Sequence, residues 1–303
     1  MLKKKALNRI FITTIIFFVV FTIYSLIDIP VTEEIKKENK EELSSIYTLN
    51  DDGYISKTEV YVSKAISLED KIKEKLEIMI EENNKNALLP SYFNPILPEN
   101  TQIEEVIVED SLVKIYFSKE LLNITESQSE QMIEAIVYTI TDEEILGIEI
   151  YVEESLLKYV PHTNKQLPTI LTKDFGINKT YEISSNKDIV KLVMSYYGKE
   201  NDEYYEIPVT KYLNDDREKI EIIIEELDNI KANTNLLTLV ENIKLLDYEI
   251  NKNSLTINLN KDLSEEEETI LLKSIFNNYD VEKIEILVQN EKKQEKIKKD
   301  IEK

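Results

Sequence analysis

The chain has 303 residues, 42% of them hydrophobic, a formal charge of −22 and no cysteine or tryptophan. That length accommodates two domains of roughly 100–150 residues, and the hydrophobic content supports packed cores rather than wholesale disorder. The charge leaves no basic stripe for nucleic acid, and the missing cysteines exclude disulfides, thiolate zinc sites, cysteine nucleophiles and a lipid-modified N-terminal cysteine.

Residues 10–27 (IFITTIIFFVVFTIYSLI) carry no charge and, at 1.5 Å per residue, span about 27 Å, enough for a hydrocarbon core. Lys3, Lys4, Lys5 and Arg9 precede the run; Asp28, Glu33 and Glu34 follow it. That asymmetry predicts a cytoplasmic N-terminus and an extracytoplasmic remainder. Residues 1–27 are therefore expected to form a basic cytoplasmic tip and a transmembrane signal-anchor, crossing the cell membrane once. Cleavage as a secretory signal is the weaker alternative, because the run is long and residues 25–30 (SLIDIP) lack an Ala-x-Ala-like site. The polar residues 28–45 read as a stalk, spanning on the order of 25 Å if flexible.

Beyond the stalk one pattern is written twice, predicting modules at 46–155 and 186–290. The first opens on an apolar strand at 46–49, a turn at Asp51, Asp52 and Gly53, and a second strand at 59–62. Its counterpart has a strand at 190–193, a polar turn over 198–203 and a strand at 207–210. Pro208 has no N–H to donate to a ladder, so this last strand is expected to be an edge or to begin there. A helix follows in each copy. Leu68, Ile72, Leu76, Met79 and Ile80 share one face of the first, and Ile220, Ile223, Ile224, Leu227 and Ile230 share one face of the second.

The strongest internal match pairs residues 110–121 (DSLVKIYFSKEL) with 252–263 (KNSLTINLNKDL). Alternation puts Val113, Ile115 and Phe117 on one face, and Leu255, Ile257 and Leu259 on its equivalent. Each of these strands closes a hairpin with the one before it, at 106–108 and 248–250. A second helix starts in each copy with the form of a capping box, Thr125 with Gln128 and Ser264 with Glu267. Its buried face is predicted as Met132, Ile133, Ile136, Val137 and Ile140, against Leu271, Leu272, Ile275 and Phe276. A closing strand carries Ile148, Ile150 and Val152, against Ile284, Ile286 and Val288. Each module thus reads strand-strand-helix-strand-strand-helix-strand, with two amphipathic helices over a half-buried sheet: an α+β chain of two tandem two-layer α/β sandwiches. The connector, 156–185, contains Pro161, Pro168 and Gly176 among aliphatic and aromatic residues that predict packing rather than a loose tether. The tail, 291–303, is almost wholly charged and is expected to fray.

The run from Val106 to Val152, with its Val113-x-Ile115-x-Phe117-Ser118 strand and Ile136-Val137-Tyr138-Thr139-Ile140 helix end, resembles the GerMN domain family. The strand at 207–211 (IPVTK) and the approach to the first hairpin at 97–101 (LPENT) are similar to that family too. The resemblance covers about residues 45–290. The Gly-Pro pair common at the family's helix end is absent from both copies, and the second lacks the proline approach to its hairpin. The resemblance implies a fold like that of ring-building modules and a role in sporulation or spore germination. It further implies work between two membranes, supporting the channel machinery that links mother cell and forespore. No catalytic residue comes with it.

The residues themselves offer little chemistry. His162 is the sole histidine, and no Gly-x-Ser-x-Gly elbow accompanies it, so an exposed loop histidine is the expectation. Asp51, Asp52 and Gly53 lack the further spaced ligands of a calcium loop and read as a hairpin turn. Asp215 and Asp216 are expected to cap the following helix. Glu120 and Asp262 occupy corresponding positions, but 59 acidic residues make any carboxylate pair uninformative, and loop-end solvation is the reading for both. No phosphate-binding glycine motif occurs. No catalytic, cofactor-binding or metal-ligating residue is assigned, and neither nucleic acid nor a small-molecule substrate is expected. The expected function is a non-enzymatic scaffold or assembly factor, bound to the membrane by its N-terminal helix and to other sporulation membrane proteins or to itself. The alternative is a tethered cell-wall or ligand-binding module.

Overall fold

The computed structural model describes residues 41–64, 66–228 and 235–298. The expected anchor at 10–27 lies outside the described residues; among those described, no helix is long and apolar enough to cross a membrane. In chain order the first module contains β1 (Glu41–Asn50), β2 (Ile55–Ser63), α1 (Leu68–Ile78), β3 (Phe93–Asn94), β4 (Ile103–Glu109), β5 (Leu112–Phe117), α2 (Glu126–Ile140), β6 (Gly147–Val152) and β7 (Ser155–Leu156). The connector adds β8 (Thr180–Glu182). The second module contains β9 (Ile189–Glu200), β10 (Glu203–Asn214), α3 (Lys219–Asp228), β11 (Leu245–Asn251), β12 (Ser254–Leu259), α4 (Glu265–Phe276), β13 (Lys283–Val288) and β14 (Glu291–Ile297).

Where the strand pattern predicts one sheet per copy, the structure builds two. One is a three-stranded sheet around the first hairpin, ordered β2-β1-β3 in the first module and β8-β10-β9 in the second. The other is four-stranded, ordered β4-β5-β6-β7 and β11-β12-β13-β14. In the latter, β5 pairs with β6 and β12 with β13 in parallel, the helix between each pair making the crossover. The two sheets of a module do not join: beyond a short pairing near its end, the outer edge of the first strand is met by a helix side chain and not by a strand of the four-stranded sheet. The Tyr47 N–H donates to Thr139 Oγ1 at 2.8 Å, and the Ser195 N–H donates to Ser274 Oγ at 3.0 Å. These bonds occupy equivalent positions, as do the Leu49–Asn94 pairing and the Tyr197–Leu237 bridge. The duplication therefore extends to individual hydrogen bonds.

Each module has its own core. One is built on Ile46, Leu76, Val113, Ile115, Phe117 and Ile136, the other on Leu192, Ile223, Leu255, Ile257, Leu259 and Ile275, all fully buried. Burying each such side chain contributes about 1.5–3 kcal/mol before entropy is subtracted. The predicted faces of α2 and α4 are buried throughout. Leu68 is an exception: it opens α1 and is exposed, one turn short of the core that Ile72 and Leu76 reach. Ile230 lies outside the described residues. The connector packs as its composition suggests, with Val160, Leu167, Leu171 and Ile177 joining the first core.

Several boundaries differ from the sequence pattern. The stalk expected to run to residue 45 ends earlier, because β1 starts at Glu41 and pairs with β2 from Glu41–Ser63 onward. The tail does not fray over 291–297. Its charges suit an edge strand, and β14 pairs antiparallel with β13 while Lys292 reaches Glu285 at 2.7 Å and Lys296 reaches Glu268 at 2.9 Å. Residues 299–303 lie outside the described residues. Nor does β10 begin at Pro208; it begins at Glu203, and Pro208 sits mid-strand opposite Ser195. It is tolerated there because the strand's other side carries β8 only at residues 211–213.

The two helix starts also differ. Ser264 and Glu267 form the reciprocal capping box. Thr125 makes no cap bond; its hydroxyl donates to the Gln128 side chain at 2.9 Å. Ser264→Ala should therefore cost about 0.5–2 kcal/mol and Thr125→Ala only a few tenths, compared by urea unfolding. Equal costs would contradict the difference.

Candidate functional site

The residues weighed for chemistry are scattered. His162 sits in the connector with φ 62°, its Nε2 2.9 Å from the Leu122 carbonyl oxygen. It lines a shallow groove of about 360 Å³ with Leu122, Tyr159, Val160, Pro161, Thr163 and Asn164, and no carboxylate belongs to that lining. Asp51, Asp52 and Gly53 form the β1–β2 turn, where Gly53 takes φ 84° and donates to the Asn50 carbonyl. Asp215 does not cap α3. Its carboxylate binds the Arg217 N–H and guanidinium, and the free Ile220 N–H of the helix donates instead to Tyr279 Oη at 2.8 Å. Glu120 is held by Ser118 and local backbone, which lower its pKa; Asp262 is exposed beside Lys293. Among the described residues no group of three or more His, Cys, Asp or Glu is placed to hold a metal ion.

What the structure does bring together is a polar cluster where the two modules meet. In α2 the sequence Met132-Ile133-Glu134-Ala135-Ile136 sets one acid among buried apolar residues. Glu134 is 3% exposed and pairs with Lys179 of the connector at 2.8 Å, whose side chain is 7% exposed. Lys179 also reaches Glu130 at 2.6 Å and lies 3.6 Å from the centre of the Phe175 ring. Burial pushes the Glu134 carboxyl above its ordinary value, and Lys179 offsets this only partly. Burial works the same way on Glu130, but Lys165 and Lys179 together outweigh it and its pKa falls.

Asn178 sits beside this pair. Its backbone N–H donates to Glu134 at 2.8 Å. Its side-chain oxygen accepts from the Ile55 N–H at 2.9 Å, and its amide nitrogen donates to the carbonyls of Ile55 and Pro208 at 2.7 and 2.8 Å. Further along, Tyr205 of β10 stacks on Tyr92 with centroids 5.6 Å apart, meets the edge of Phe93, and accepts from Asn50 at 3.2 Å. The Tyr205 ring lies across Gly198 on the neighbouring strand, where an added Cβ would come within 2.3 Å of it. Tyr54, from the first hairpin, packs on the second core.

A second, partly buried acid couples the layers of the second module. Glu206 is bound by Lys273 of α4 at 2.6 Å and by the Ser195 hydroxyl at 3.0 Å. Burial alone would raise its pKa, but Lys273 and those neighbours depress it below the ordinary 4.5. A depressed folded-state value stabilises above the unfolded pKa and is lost as pH falls through the folded one. Glu206→Gln should cost about 1–3 kcal/mol at pH 7, and the gap to the parent should close as pH falls below about 4. Denaturation at both pH values checks this; a gap that widens in acid would contradict it.

None of these junction residues is singled out by periodicity. The available signals were the lone glutamate among the apolar residues 132–136 of α2 and the Gly176-Ile177-Asn178-Lys179 turn segment of the connector.

Comparison with known proteins agrees with the topology. Residues 45–158 match the Germane family, described as "Sporulation and spore germination". The chain is 23% identical over 240 residues to the spore germination protein GerM of Bacillus subtilis (strain 168), covering 77% of this chain and 65% of that protein's length. The solved tandem GerMN domains of the sporulation protein GerM from Bacillus subtilis share the fold at a TM-score of 0.75 and 21% identity, over 83% of this chain and 92% of that one. The Germane match lies over residues 45–158, and across both modules the chain is similar in fold to the tandem GerMN domains.

Proposed function

We propose that the chain is a non-enzymatic scaffold or assembly factor of sporulation or spore germination, acting outside the cytoplasm and supporting the machinery that joins mother cell and forespore. The observation that carries this reading is the Germane match over residues 45–158, whose family description is sporulation and spore germination. The uncharged run at 10–27, preceded by Lys3, Lys4, Lys5 and Arg9, supports single-pass attachment to the cell membrane with the modules outside. The partners are other membrane proteins of the sporulating cell or further copies of this chain.

Deletion of the gene in a spore-forming host, scored as heat-resistant spores and as germination rate, tests the role. A clear fall in either is expected, restored by the full chain but not by one lacking residues 10–27. Normal sporulation and germination in the deletion strain would overturn it. Enrichment of the chain on purified peptidoglycan, without loss of spores, would favour the tethered wall-binding alternative instead.

A further inference from the structure

We propose that the two modules act as one rigid body, with Asn178 as the latch that fixes their relative orientation. Domains joined in one chain move against each other by default unless something specific holds them. Here the first hairpins of the two modules approach side by side without pairing as strands. On β2, the N–H and C=O of Ile55 face a position where a neighbouring strand would satisfy both; the Asn178 amide takes both instead. On β10, Pro208 faces the same amide and has no N–H to leave unpaired, while its carbonyl accepts the second amide hydrogen.

One side chain therefore spends its acceptor and both donors on two different modules, at 8% exposure. Its backbone takes φ 46°, in the left-handed region that asparagine tolerates better than most residues. The flanking chain is bound on both sides as well. The Asn178 N–H is held by Glu134 of α2, and Ile177 exchanges bonds with Thr210 of β10: its N–H donates to the hydroxyl at 2.9 Å and its carbonyl accepts the Thr210 N–H at 2.8 Å. Turning one module against the other would orphan the buried Ile55 and Pro208 groups and unstack Tyr205 from Tyr92. A buried amide or carbonyl stripped of its partner is costly enough to make a single orientation dominate. A partner that touches both modules would thus meet one pre-organised surface, not two tethered ones. This inference stands independently of the sporulation role.

The absence of cysteine makes the test direct. In the full chain in detergent, Glu104→Cys on β4 and Glu249→Cys on β11, both exposed, carry spin labels whose separation is read by double electron–electron resonance. One narrow distance distribution is expected with Asn178 present, and a broadened one with Asn178→Ala. Hydrogen exchange in β5 and β12 should show both modules still folded, with the Ile55 amide exchanging about tenfold faster or more. If the alanine chain does not fold, Asn178→Asp serves instead: it keeps the acceptor for Ile55, loses both donors and should broaden the distribution likewise. A broad distribution in the parent chain, or an unchanged narrow one in a folded Asn178 variant, would overturn the proposal.

Discussion

Replacing Lys179 with alanine is expected to remove about 3–5 kcal/mol of stability near neutral pH, the usual cost of leaving one partner of a buried ion pair uncompensated. The ammonium lies 2.8 Å from Glu134 and 2.6 Å from Glu130. Glu130 keeps Lys165 in the variant, whereas among the described residues Glu134 keeps the Asn178 N–H at 2.8 Å and no cation. Its carboxyl is already pushed above the ordinary 4.5 by burial, and loss of the lysine pushes it further. A raised folded-state pKa means that the folded chain holds the proton more tightly than the unfolded one. The deficit should therefore be largest above the folded pKa and shrink as pH falls through it. Urea unfolding at pH 8 and pH 5 measures both points. Adding Glu134→Gln to Lys179→Met should recover most of the loss, because no buried charge then stands alone and the Asn178 N–H retains an acceptor. A double variant as unstable as Lys179→Ala would show that packing over Phe175, not charge, sets the cost.

The second large effect tests the duplication. Phe117 and Leu259 end the equivalent strands β5 and β12, are both 0% exposed, and pair with Val152 and Val288 in the same parallel register. Phe117→Ala should cost about 3–5 kcal/mol and Leu259→Ala about 2–5 kcal/mol, transfer and cavity terms together. If the two modules share one design, both changes damage a core at the same structural point. Denaturant unfolding reads the two costs. A negligible loss for Leu259→Ala beside a large one for Phe117→Ala would show the second copy to be a decorated remnant.

Much of this was legible locally. Alternation of period two identified β5, β6, β12 and β13, and the 3.6-residue stripe identified α2 and α4 with their buried faces, because both patterns are written within a dozen residues. The capping box at Ser264 was readable for the same reason, while Thr125 had the right letters and makes no cap bond. The division into two sheets per module was not readable. It depends on Thr139 and Ser274 meeting strands far away in sequence, and a hydroxyl in a helix looks like any other surface residue until the packing is known. The junction escaped for a related reason: Glu134 and Lys179 lie 45 residues apart, and no periodicity links a helix interior to a connector. The charged strand β14 was missed because composition signals solubility, and an edge strand wants that same composition.

Native-state hydrogen exchange of the full chain tests most directly whether two copies of one design have been built into a single cooperative unit. The slowest amides of β5 and of β12 should open with the same free energy, and Lys179→Ala should lower both together. If β12 opened well below β5, or if the Lys179 variant weakened the first module and left the second untouched, the modules would be independent neighbours and the junction a mere contact.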